Sequence, residues 1–277
     1  MEEVKNACAC DAKIENDGDR GMNARIKMLR KISHTTEPHI DLERAQIETE
    51  VYKKYEGSVS LPVLRSMVLK EYFSRKTLYF GDGELILGEK GRDPQCSPTF
   101  PELCCHTLED MRNMDARSLA YFRVREEDYK EEEIIPYWKD RAVREKIIAH
   151  MTPEWKQAYA AGMFTEFMEQ RGPGHTAGGG QIFTTGYNEY KAQIKEAMDK
   201  LDYLKDPEAY DKLEELKAMD IACDAVIILG ERYHKLCVEK AAAETDPVRK
   251  AELEQMAKNL EVIPANKPQT YWQAIQQ

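Results

Sequence analysis

The chain has 277 residues, enough to bury a substantial core in one large domain or two small ones. Its 40 Lys and Arg against 50 Asp and Glu give a formal net charge of -10, which argues against a nucleic-acid partner, because binding a phosphate backbone needs a clustered basic face. No run approaches about 18 consecutive apolar residues, and the start, MEEVKNACACDAKIENDGDR, has neither an apolar core nor a basic leader, so no membrane span or secretion signal is expected and the cytoplasm is the default compartment.

Residues 1–20 are polar, carry no hydrophobic period and end in NDGDRG; they are expected to form a disordered leader, with the fold occupying 21–277. A basic amphipathic stretch follows, then a helix from Asp41 to Tyr55, where Leu42, Ala45, Ile47, Val51 and Tyr55 recur at roughly helical spacing and Gly57 supplies the stop. SLPVLRSMVLKEYFSRKTLYF predicts another helix with Leu61, Leu64, Met67, Val68 and Phe73 as its apolar stripe. GDGELILGEKG reads as a short strand, Leu85 to Leu87 between glycine turns. RDPQCSPTFPELCC, with prolines at 94, 98 and 101, must be extended or turn-like. The charged runs REEDYKEEEIIPYWKDR and KAAAETDPVRKAELEQ read as solvated helical faces without chemistry.

Three helix starts carry the same device, a capping side chain followed by proline at the first helical position: TPEW at Thr152, DPEAY at Asp206 and DPVRK at Asp246. Beyond the second, Leu213, Leu216, Met219, Cys223, Val226, Gly230, Tyr233 and Cys237 step by three and four around the apolar AVIILG, predicting a helix buried along its middle turns. NKPQTYWQAIQQ opens a last helix at about Thr270 that ends without a glycine cap, polar tail or terminator, a finish expected of an incomplete domain. The pattern as a whole is mainly α with a few short strands.

Seven cysteines with no CxxC pair fit reduced thiols, and neither CAC nor CCH supplies the second ligand pair of a closed zinc site, so no metal is expected. MFTEFMEQRGPGHTAGGG sets a helix-like run against His175 among five glycines. A phosphate loop is not expected there: no strand precedes it, no lysine follows until Lys191, and Glu166 and Glu169 would repel a phosphate. Two readings stay open for His175: an imidazole delivered by a glycine-rich bend to a pocket, or one that satisfies its own loop carbonyls. Glu166, Glu169 and Arg171 read as a solvated face, and Met163, Phe164, Phe167 and Met168 as core.

The blocks DGELILGEKG, PTFPEL, EEIIPYWKDR, MTPEW, GMFTEFMEQRGPGHT and AMDIACDAVIILGERY, in this order, resemble the N-terminal part of the glycyl radical enzymes of the pyruvate formate-lyase-like superfamily, above all its trans-4-hydroxy-L-proline dehydratases. The resemblance covers roughly Gly21 to Gln277 and implies the helical part of a ten-stranded β/α barrel, incomplete in this chain. In the family, a glycyl radical installed by a radical SAM activating enzyme draws hydrogen from a cysteine, and the resulting thiyl radical takes hydrogen from the substrate. Neither the loop bearing that cysteine nor the loop bearing the radical glycine has a counterpart here, so the resemblance implies no catalytic residue in this chain and no activity of the chain alone. Matched residue by residue, His175 and Phe167 fall on positions lining the substrate pocket, the imidazole to hydrogen-bond the substrate and the phenyl ring to pack on it. After His-Thr the family commonly has cysteine or aspartate, whereas this chain runs on to Gly178, Gly179 and Gly180.

The resemblance further implies a small hydroxylated amino acid as substrate, no bound cofactor or metal in this portion, and a homodimer as the full-length enzyme. Arylacetate decarboxylases, isethionate sulfite-lyases and formate acetyltransferase-like enzymes share the region and are the alternatives. A catalytically dead helical scaffold is a further one; it would leave Trp272, Ile263 and the Val226–Leu229 run partly exposed.

Overall fold

The computed structural model describes residues 22–107, 109, 123–124, 131–163 and 179–277. The leader expected at 1–20 lies outside the described residues, as do Phe167 and His175.

Ten helices and three short strands make up the described fold. Helix α1, Ala24–Thr35, starts where Asn23 accepts a hydrogen bond from the Ile26 amide at 3.0 Å. Strand β1, His39–Asp41, runs directly into α2, Glu43–Tyr55, and Gly57, at φ 78°, ends that helix as expected. Then come α3, Leu61–Arg75; β2, Cys96–Pro98; β3, Arg123–Val124; and α4, Glu131–Trp138. Helices α5, Val143–His150, and α6, Pro153–Ala160, follow as a pair, the second capped by Thr152. After a 3-10 turn at Gly179–Phe183 the chain forms α7, Tyr187–Asp199; α8, Ala209–Ala243; α9, Pro247–Val262; and α10, Tyr271–Gln276.

Two apolar clusters form the core. The first joins Ala45, Ile47, Val51 and Tyr52 of α2 to Leu64, Val68 and Tyr72 of α3 and to Ile134 and Trp138 of α4. Each fully buried Leu, Ile or Val contributes about 1.5–3 kcal/mol. Trp138 also lies edge-on to Tyr52, with centroids 4.8 Å apart, and donates its indole N–H to Thr49 at 2.8 Å. EEEIIPYW is therefore not a solvated face. Ile134 and Trp138 sit four residues apart and turn one side of α4 inward, which the preceding glutamates disguise in the sequence. The second cluster gathers Phe80 and Leu87 with Tyr233, Cys237 and Ala241 of α8 and Leu253, Met256, Ala257 and Leu260 of α9. KAAAETDPVRKAELEQ thus also contributes core, through Ala241 and Leu253.

The 35-residue α8 runs parallel to α3, as three ties in matching order show: Ser60 to Glu214, Lys70 to Asp224, and the Phe73 and Lys76 carbonyls to Arg232. Through its middle turns its buried residues are small, Ala218, Cys223, Ala225 and Gly230, which lets neighbouring segments approach closely. Val226 to Leu229 are consequently half-buried, not buried as expected. Asp206 acts two residues earlier than expected: it accepts from the Glu208 amide at 3.0 Å and shapes the turn before Ala209. Leu61, read as core, is exposed, and Val63 and Leu64 take its place.

The strands stand apart from the expected one. β1 pairs in parallel with β2 on one side and β3 on the other, in the order β2-β1-β3, with His39 opposite Cys96 and Arg123. Leu85 to Leu87 form no strand. Their backbone groups are taken up by side chains of α10: Trp272 donates to the Leu85 carbonyl at 2.9 Å, while the Gln276 amide donates to the Leu87 carbonyl at 2.9 Å and accepts from its N–H at 2.7 Å. The expected strand is therefore absent: the chain bends at Leu85 and Ile86, and side chains of α10, not a neighbouring strand, satisfy its backbone.

Candidate functional site

The three parallel strands bring two polar centres to their ends. On β1, His39 and Asp41 share one face and are both buried. Asp41 is 0% exposed; one carboxylate oxygen accepts from the Glu43 amide at 2.9 Å, opening α2, and the other accepts from the Arg92 amide at 3.3 Å. The Arg92 guanidinium lies 3.4 Å from Asp41, and His39 Nε2 lies 3.4 Å from Asp93. A loop of alternating charge thus matches the polar side of the strand. Gly91 permits the approach, since a Cβ there would fall 2.3 Å from Cys96 Sγ. Tyr72 and the buried Lys76 hold the same loop from below, donating to the Glu89 and Lys90 carbonyls at 2.7–2.9 Å. Burial lowers the Lys76 pKa, although Glu43 and Asp41 act against that shift.

The second centre is built from Arg44 and Glu48 on α2 and Glu102 in the turn after β2. Arg44 donates to Glu48 at 2.7 Å, to Glu102 at 2.8 and 3.2 Å and to the Thr99 carbonyl at 3.1 Å, and stacks 4.0 Å from the Phe100 ring. The same turn carries α5, because the Val143 and Arg144 amides donate to the Glu102 and Leu103 carbonyls at 2.9 and 3.0 Å. Helices α5 and α6 border a cleft of about 570 Å³ between Val143, Ile147, Met151 and Trp155. They lead to Met163, directly before the segment that holds Phe167 and His175.

Those two expected site residues lie outside the described residues, whereas Asp41, Arg44, Glu48, Glu102 and Lys76 were not singled out from sequence. The available signal was HIDLER, a carboxylate in a buried strand with an arginine three residues on, and Arg44 to Glu48 at i,i+4. Burial pushes the Cys96 and Cys237 thiols up to about 11 and raises Cys223 as well, so these three are held protonated. Cys104 Sγ sits 3.2 Å from His106 Nε2, so the CCH motif does join two of its members. Among the described residues no group of three or more His, Cys, Asp or Glu is placed to hold a metal ion.

A model of the family described as pyruvate formate lyase-like matches residues 19–277. The chain belongs to the pyruvate formate lyase-like family. This pyruvate formate lyase-like chain is 52% identical over 259 residues to trans-4-hydroxy-L-proline dehydratase of Clostridioides difficile, covering 93% of the chain and 33% of that protein. It is 30% identical to isethionate sulfite-lyase of Desulfovibrio desulfuricans, over 95% of the chain and 33% of the relative. The crystal structure of the Clostridioides difficile hydroxyproline dehydratase with trans-4-hydroxy-L-proline bound superposes with a TM-score of 0.88 over 93% of the chain and 33% of that structure. The chain spans about a third of the length of the relatives it matches. Its helices and three parallel strands correspond to the N-terminal part of the glycyl radical enzyme fold.

Proposed function

We propose that these 277 residues form the N-terminal portion of a glycyl radical dehydratase that removes water from trans-4-hydroxy-L-proline. The observation carrying this reading is the 52% identity over 93% of the chain, joined to the TM-score of 0.88 against a hydroxyproline-bound structure. The portion's task is to bind and orient. His175 hydrogen-bonds the substrate from the pocket wall and Phe167 packs on the pyrrolidine ring. The reaction is redox-neutral overall: hydroxyproline loses its hydroxyl and one hydrogen as water. A glycyl radical, installed by a radical SAM activating enzyme, supplies the hydrogen-atom abstraction from the length that the chain does not span. The full-length enzyme is a cytoplasmic homodimer in this reading, and no helix of the described residues is long and apolar enough to cross a membrane.

The test is an anaerobic assay of the full-length enzyme carrying this sequence, activated and offered trans-4-hydroxy-L-proline, isethionate or glycerol in separate reactions. Loss of water from hydroxyproline is expected, and turnover of isethionate or glycerol in its place overturns the proposal. His175→Ala is expected to lower kcat/KM for hydroxyproline by roughly tenfold to a hundredfold, the effect of losing one hydrogen bond in a desolvated site.

A further inference from the structure

The Arg44, Glu48 and Glu102 centre holds two carboxyl groups and one guanidinium in a place that water hardly reaches: Glu48 is 2% exposed and Glu102 6%. Nη1 of Arg44 donates to an oxygen of each carboxyl and to the Thr99 carbonyl, and Nη2 donates to the other oxygen of Glu102. One cation cannot offset two buried anions. Glu48 Oε2 and Glu102 Oε2 both accept from the same Arg44 nitrogen, at 2.7 and 3.2 Å, so the two carboxyl groups crowd one small dry space, an arrangement relieved if one of them carries a proton.

We propose that Glu48 and Glu102 share a single proton, carried on Glu48, and that this proton is the latch closing the 100–103 turn onto α2. With it, Glu48 donates to the Glu102 carboxylate and the centre is electrically neutral. Without it, two carboxylates face each other in a dry site and the turn is released. Release reaches further, because the Glu102 and Leu103 carbonyls hold the first amides of α5.

The surroundings agree. Burial first, and then the neighbouring Glu102 carboxyl, push the Glu48 carboxyl up to about 9, while Arg44 and Glu48 hold Glu102 below the usual carboxylate range against the opposing effect of burial. The Tyr52 phenol on α2, which burial and the two carboxyls push up to about 12, faces the pair, and Arg65 on α3 acts on that phenol in the opposite sense. On α5, Arg144 and Glu145 pair with each other at 3.6 Å.

A carboxyl whose folded pKa lies above its unfolded value contributes stability that is complete below the unfolded pKa and declines as pH rises towards the folded one. The shared proton therefore makes the folding constant fall about tenfold per pH unit from the ordinary carboxylate range up to about 9. Urea unfolding of the chain at successive pH values from neutral to 9 measures this. Glu48→Gln keeps an N–H for Glu102 and cannot ionise, so its pH profile is expected to be shallower than the native one by about tenfold per unit. Parallel profiles overturn the proposal. Infrared spectra of the native chain decide it independently of whether the variant folds. A protonated-carboxyl stretch is expected at neutral pH that fades towards pH 9 as the Val143 and Arg144 amides begin to exchange; absence of that band at neutral pH overturns the proposal.

Discussion

Asp41 shows how one side chain organises its surroundings. It is fully buried, yet each oxygen has a donor, and those donors belong to the first turn of α2 and to the loop covering β1. An unpaired carboxylate in that position would cost several kcal/mol, so its value lies in being completely used. Asp41→Ala leaves the Glu43 and Arg92 amides without their acceptor and is expected to lose about 2–4 kcal/mol in urea unfolding, one to three for each orphaned group less partial rescue by water. Asp41→Asn, which retains one acceptor, should lose about half as much. None of this was legible in the sequence, where HID lacks the apolar run or the alternation that marks a strand. The helix caps were legible because a cap is local: Thr152 and Asp246 accept from the amides of Trp155 and Val248, as their spacing predicts.

Helices were readable wherever a periodic stripe ran for three turns, and the strands were not, because three residues in a parallel sheet carry no period. Partners across the fold were the least legible feature of all. The 263–266 turn, for instance, sits against two glycines: a Cβ at Gly230 would lie 2.3 Å from Pro264 Cδ, and one at Gly186 would lie 2.4 Å from the Asn266 backbone. With Gly186 bare, the Tyr187 and Asn188 amides reach the Pro264 and Ala265 carbonyls and seat α7. Gly230→Ala is expected to cost about 1–3 kcal/mol through overpacking, and Gly186→Ala more, since the atom it meets is backbone; thermal unfolding of each variant ranks them. Helix α10 is read the same way. Removing the Gln276 amide in Gln276→Ala should speed exchange of the Leu87 N–H by roughly threefold to tenfold, while amides in α3 keep their native rates.

At the scale of the whole chain, acid and base act on different ties. Lys191 and Lys70 hold Asp224 below the usual range although burial opposes them, and Arg25 and Arg249 do the same for Glu252, so α7, α3 and α1 are tied to α8 and α9 by ionised carboxylates. Lowered carboxyl pKa values contribute stability above the unfolded pKa that is lost as pH falls through the folded one. Below about pH 4 the melting temperature should therefore fall, and salt should weaken it above that pH, because Asp224 is a third exposed. The membership of the chain in its family was legible as ordered blocks of sequence, and so were His175 and Phe167 as candidates. The carboxyl pair beside Arg44 was not, because its members are 54 residues apart and meet only once β1 and β2 are neighbours. One consequence concerns crowding. A stretch such as Leu85 to Leu87, with its backbone groups unclaimed, would invite a strand from another molecule to add alongside it. Gln276 offers one donor and one acceptor in the places such an intruder would occupy, so an ordinary side-chain amide works as a guard against chains joining edge to edge.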